Sequence, residues 1–191
     1  MKTIKSLLVT LLFLIGNHLF AQTNYALAKN YKVTINGGSN LHDWEETAEK
    51  VVGSGLVTWN SNGTFDLNSL KIVAAVNSIK SSEGATMNGK TYKALKSESH
   101  PAITFTLTSP LRSVQNGNTV SAAGDLNIAG KSNPVTLRVK VAASPNGNIT
   151  VEGAEPLKMT DFGIDPPTAL FGALKVSNDV TIHFQSTFIK Q

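Results

Sequence analysis

Apolar and polar residues alternate with a period of two along most of this chain, and that pattern confines it to half-buried antiparallel strands. Ile103, Phe105 and Leu107 alternate with Thr104, Thr106 and Thr108. Val135, Leu137, Val139 and Val141 alternate with Thr136, Arg138 and Lys140, and Val180, Ile182 and Phe184 with Thr181, His183 and Gln185. Tyr31, Val33 and Ile35 repeat the pattern near the start, and Leu70, Ile72, Ala74 and Val76 further on. Val120 to Ile128 follows it with small residues, Ala122 and Gly124, on the inward side. Residues 51–59 read as a strand whose inward face the pattern leaves open.

The punctuation agrees. Asn62-Gly63, Asn116-Gly117 and Asn146-Gly147 each separate two such runs, and Asn-Gly suits the positive φ angles of tight hairpins. Repeated hairpins over a single-domain length predict an all-β fold, an up-and-down barrel or a sandwich. One stretch departs from the period. Met87, Thr91, Ala94 and Leu95 lie at helical spacing with Lys90, Lys93 and Lys96 between them, predicting a short helix over 85–97 that His100-Pro101 ends. It is expected to lie against an open end of the barrel.

The first 21 residues read as an address. Lys2 and Lys5 precede an uncharged apolar run from Leu7 to Ile15, and Leu19-Phe20-Ala21 has the form of a cleavage site. The run is too short to span a bilayer, which takes roughly 20 apolar residues. Residues 22–191 are then expected as one exported, periplasmic domain. With no cysteine in the chain, that domain is stabilised by its core and not by disulfides. The formal charge of +4 includes Lys2 and Lys5, the remaining lysines are scattered, and Arg112 and Arg138 are the only arginines. That distribution argues against a nucleic-acid partner.

Little points to catalysis. His42, His100 and His183 show no metal-ligand spacing, and neither a metal nor a cofactor is expected. Gly53-Ser54-Gly55 lacks the strand–turn–helix setting of a nucleophile elbow, and Asp161-Phe162-Gly163 stands alone without the other kinase signatures. Asp43, Glu45, Asp161 and Asp165 are carboxylates among which a working pair could lie, but nothing in the sequence brings two of them together. His42 and Trp44 suit either a cavity rim or a packed loop. Lys90, Lys93 and Lys96 suit either an anionic head group or plain solvation.

Several segments, taken in order, carry a resemblance. They are Ser39-Asn40-Leu41-His42-Asp43-Trp44, Val52-Gly53-Ser54-Gly55, the stretch from Ile79 to Phe105, Ala123 to Gly130, Pro134-Val135-Thr136-Leu137, Thr160 to Ile164, and Val180 to Phe184. From about Tyr31 to Phe188 the chain resembles the YceI-like family of bacterial polyisoprenoid-binding, lipocalin-like proteins. The resemblance implies an eight-stranded antiparallel barrel around an elongated apolar cavity that holds an isoprenoid-type lipid. Leu41-His42-Asp43-Trp44 departs from the His-Ser pair common in the family, and the loop from Pro166-Pro167 to Gly172 is particular to this chain and a subset of relatives.

Ligand-lining residues are then expected on the strands at Ile72, Ile103, Phe105, Leu126, Ile128, Leu137, Val139, Ile182 and Phe184. The helix would add Met87, Tyr92 and Leu95, and the loops Trp44, Met159, Phe162, Ile164 and Phe171. Carriage of an apolar lipid, with transient membrane contact, is the leading reading. A hydrolase or isomerase acting on a hydrophobic substrate and a stress-associated structural protein with a filled barrel are the alternatives. The oligomeric state is open, a homodimer included.

Overall fold

The computed structural model describes residues 22–191, and the export segment expected at 1–21 lies outside them. The strands form an up-and-down meander. Its first half is made of ribbons that break and resume. β1 (Thr23–Leu27) continues into β2 (Lys32–Ser39), β3 (Asp43–Ala48) into β4 (Val51–Trp59), β5 (Phe65–Ala75) into β6 (Ile79–Ser81), and β7 (Ala102–Leu107) into β8 (Leu111–Val114). Then come β9 (Thr119–Ile128), β10 (Lys131–Ala143), β11 (Ile149–Lys158), the short β12 (Thr168–Ala169) and the long β13 (Leu174–Lys190).

The ring β1-β4-β5-β7-β9-β10-β11-β13 closes on itself through the β1–β13 pairing, giving an eight-stranded antiparallel barrel. Closure removes the free sheet edges that an open meander would expose. Burial follows the alternation: Val135, Leu137, Val139 and Val141 turn inward while their neighbours are exposed. Residues 51–59 resolve the same way, with Val51, Gly55 and Val57 inside and Val52 outside.

The two ends of the barrel differ. The turns at 60–64, 115–118 and 144–148 gather at one end, with Gly63, Gly117 and Gly147 at φ of 81, 84 and 83°. Only the glycines take positive φ. Asn62 and Asn146 instead accept a hydrogen bond from the backbone two residues on, at 3.1 Å each. That is Asx-turn chemistry, not the two-residue hairpin expected from Asn-Gly. Asn116-Gly117 joins β8 to β9, which do not pair with each other, so it is a crossing between neighbours of other strands. The two-residue hairpin sits elsewhere. Ala129 and Gly130, at φ of 52 and 84°, link β9 to β10.

At the opposite end β2 and β3 extend beyond the closed ring. β6 pairs only with β3, and its other edge faces α1 (Ala85–Ala94). The helix is shorter than the 85–97 expected. It stops at Leu95, and the turn at Lys96 (φ 54°) breaks the chain five residues before Pro101. Its propensity is weak, with Asn88-Gly89 at its centre and no side-chain N-cap. Side chains tether it to the barrel: Ser81 N donates to Asn88 Oδ1 (2.7 Å) and Lys96 Nζ to Gly163 O (3.2 Å).

Candidate ligand-binding cavity

The barrel is not solidly packed. Inside the closed ring lies a chamber of about 220 Å³. A second chamber of about 160 Å³ lies beneath α1. Ile35, Ile79, Ile103 and Ile182 border both, so the chambers meet at a collar of four isoleucines.

The first chamber is apolar almost throughout. Its wall includes Ile72, Phe105, Leu126, Leu137, Val139 and Phe184, all expected from the sequence, together with Val57, Phe65, Leu70 and Val141. Its far end is capped. Trp59 Nε1 donates to the Tyr25 hydroxyl (2.9 Å), which donates to Gly147 O (2.9 Å), so both polar groups are satisfied inside an apolar plug. Glu155 is the carboxylate that faces this chamber, opposite Ile182 in the sheet register, and burial raises its pKa. The space beside the small residues is partly taken. At Gly124 the Phe105 ring occupies the position a side chain would fill, and at Gly153 the Phe184 ring does so. Gly124 therefore seats an aromatic ring and does not add open volume.

The second chamber is mixed. Met87, Thr91, Ala94 and Leu95 of α1 form its roof, the face that helical spacing singled out. Ile128, Met159, Phe162 and Ile164 close one side, and Trp44 another. The Trp44 ring lies flat across Gly37, where any Cβ would collide with it, and its Nε1 donates to Gly38 O (3.1 Å).

Polar groups gather here. Glu46 is only 5% exposed, and its Oε1 accepts a short hydrogen bond from Thr91 Oγ1. Burial raises the Glu46 pKa, the Thr91 bond opposes that in part, and the nearby Glu83 charge adds to the rise. His42 Nε2 stands 3.4 Å from Glu83 Oε1, and both side chains are substantially exposed. The alternation that placed Glu46 inward was readable in β3. Its chemistry was missed because Glu45-Glu46 looks like a solvated pair.

Two expected residues lie elsewhere. Tyr92 is on a different side of α1, where its hydroxyl bonds to Asn77 O and Ile79 O (3.0 Å each) and receives Lys80 Nζ (2.8 Å). The irregular turn at 76–78 offers carbonyls to the phenol that the apolar chamber does not. Phe171 caps a loop, at φ 57° and 113% exposed, and points into solvent. Of the expected carboxylates, Asp43, Glu45, Asp161 and Asp165 are all exposed. Among the described residues no three His, Cys, Asp or Glu side chains converge to hold a metal. His183 is exposed on the outer face of β13, and the His100 ring packs on Gly130.

Comparison with known proteins agrees with this architecture. A Campylobacter jejuni YCEI protein aligns with a TM-score of 0.58 at 18% identity, over 76% of this chain and 84% of its own. Burkholderia cenocepacia BcnA aligns with a TM-score of 0.63 at 21% identity, over 82% and 95%. A polyisoprenoid binding domain from Saccharophagus degradans, implicated in plant cell wall breakdown, aligns with a TM-score of 0.69 at 15% identity, over 87% and 98%. No curated protein sequence matches. The model of the YceI-like domain matches residues 30–188, all but the ends of the described barrel, and the chain therefore belongs to the YceI-like family.

Proposed function

We propose that this protein is a periplasmic carrier that holds one long apolar lipid, of isoprenoid type, without transforming it. The observation that carries the reading is the pair of chambers meeting at Ile35, Ile79, Ile103 and Ile182: a narrow, apolar, elongated interior suits an extended chain. Each methylene moved from water into it gains roughly 0.8 kcal/mol, so a long tail needs few polar contacts. The YceI-like family and the polyisoprenoid binding of the Saccharophagus domain support the same ligand class. The segment at 1–21 supports export. Protein purified from its native envelope and examined by native mass spectrometry, with solvent extraction of the complex, is expected to yield one dominant isoprenoid-type lipid at unit stoichiometry. A bare mass, unchanged after incubation with C20 to C40 isoprenoids, would overturn the reading.

Loading from a bilayer has a physical basis at the mouth of the second chamber. Leu41 is 71% exposed and Phe171 more so, and their loops are tied together by Asn40, whose Nδ2 donates to Ala173 O (2.8 Å) and whose Oδ1 accepts from Lys175 N (2.9 Å). Both loops also contribute wall residues, Ser39 and His42 from one, Thr168 and Leu174 from the other. Two apolar tips at a cavity mouth form an interfacial anchor. The double variant Leu41→Ser with Phe171→Ser is expected to slow lipid transfer from vesicles severalfold while leaving affinity for detergent-dispersed lipid unchanged. Equal transfer rates would remove the membrane step.

A further inference from the structure

We propose that the second chamber is a head-group site for an uncharged hydrogen-bonding group, a hydroxyl or a primary amide at the end of the bound chain, and that it disfavours a phosphate. The proposal rests on the carrier reading and specifies which end of the lipid sits where.

The polar inventory of the chamber decides the chemistry. Glu46 is buried and turned inward, with Oε1 taken by Thr91 Oγ1. Its Oε2 has no hydrogen-bond partner among the described residues, and no buried side-chain oxygen there is left sealed and unpaired, so Oε2 is open to the chamber. A hydroxyl or amide can both donate to a carboxylate oxygen and accept from a carboxylic acid, so it suits Glu46 in either protonation state.

A phosphate meets the wrong charges. As the dianion it can only accept, from the acid form, and in either charge state it is repelled by the carboxylate anion, to which Glu83 adds a second. The cations do not compensate. Lys158 is held by Asp179 at 2.7 Å, His42 Nε2 stands 3.4 Å from Glu83 Oε1, Lys90 lines the same chamber as the two glutamates, and neither arginine reaches it. Lys93 and Lys96 do not border the chamber, so the row of helix lysines does not form an anion pocket. The opposite end of the cavity offers no comparable site, because the Tyr25 and Trp59 polar atoms are already bonded to each other and to Gly147. The tail therefore passes the isoleucine collar towards the Tyr25 plug.

The test compares three C20 probes with the same tail: phytol, phytyl phosphate and the hydrocarbon phytane. The native protein is expected to bind phytol at least tenfold more tightly than the phosphate and severalfold more tightly than phytane. Glu46→Leu should bring phytol down to the level of phytane and narrow the gap to the phosphate, with phytane unaffected. Thr91→Val, which keeps the carboxyl but removes its donor, should alter the phytol affinity and leave phytane alone. Glu155→Leu should preserve the preference for phytol. A phosphate that binds as tightly as the alcohol, or a preference that survives Glu46→Leu or disappears with Glu155→Leu, would overturn the head-group assignment while leaving the carrier reading standing. Failure of all three probes would overturn the carrier reading itself.

Discussion

Replacing Ala74 with phenylalanine is expected to cost the protein most of its affinity for long-chain lipids while sparing short ones. Ala74 faces the first chamber from β5, between Val51 and Ile103 in the sheet register, and Ile103 belongs to the collar. A benzyl side chain there projects into open volume beside the constriction. It adds apolar burial and no unpaired polar group, and because it enters open volume its folding cost should not exceed the roughly 1–3 kcal/mol of small-to-large core changes. A tail that crosses the collar would lose the part lying beyond it. Excluding about four methylenes at roughly 0.8 kcal/mol each lowers affinity on the order of a hundredfold. A C10 alcohol, short enough to remain under α1, should bind as before. Titration of the native protein and the variant with C10 and C20 alcohols separates the cases. Equal losses for both lengths would mean that the chain does not thread the collar.

How much of this was legible beforehand follows from which physical signals are local. Alternation is local, and it placed the inward faces of β7, β9, β10 and β13 correctly, including Phe105, Leu137 and Phe184 on the cavity wall. Helical spacing is local too, and it found the roof formed by Met87, Thr91, Ala94 and Leu95. The misses depend on partners distant in sequence. Tyr92 was drawn away by carbonyls at Asn77 and Ile79. Ala129-Gly130 makes the two-residue hairpin although Ala-Gly carries no such signal, because the β9–β10 register continues to Ile128 and Lys131 and leaves two residues for the turn. The breaks at 28–31, 49–50 and 76–78 fall within runs that read as continuous strand or as unremarkable loop. Glu46 shows the limit most sharply. Its inward direction was available from Trp44, Glu46 and Ala48 alternating along β3, yet only the packing of α1 brings Thr91 over it and makes it a buried acid.

Gly124→Val should be the most destabilising single change in the barrel wall. Gly124 pairs with Leu107 on one side and Val135 on the other, and its missing side chain is what lets the Phe105 ring lie against the strand. A Cβ there would meet that ring and would stand 2.6 Å from Thr106 O. The ring can rotate, but the carbonyl belongs to the sheet ladder and cannot yield without breaking register. Overpacking of a core typically costs about 1–3 kcal/mol, and a branched side chain against backbone belongs at or above the upper limit. For a domain of this size that lowers the melting temperature by roughly 6–12 °C. Gly124→Ala should cost less but remain clearly destabilising. In a Phe105→Leu background part of the Gly124→Ala penalty should vanish, because one of its two obstacles is gone, while the collision with Thr106 O remains. Thermal melts of the four proteins in that double-mutant cycle measure the coupling directly. Strict additivity would mean that the ring does not rest on Gly124. The space beside that glycine would then belong to the cavity, and the first chamber would accept a bulkier chain than its present walls allow.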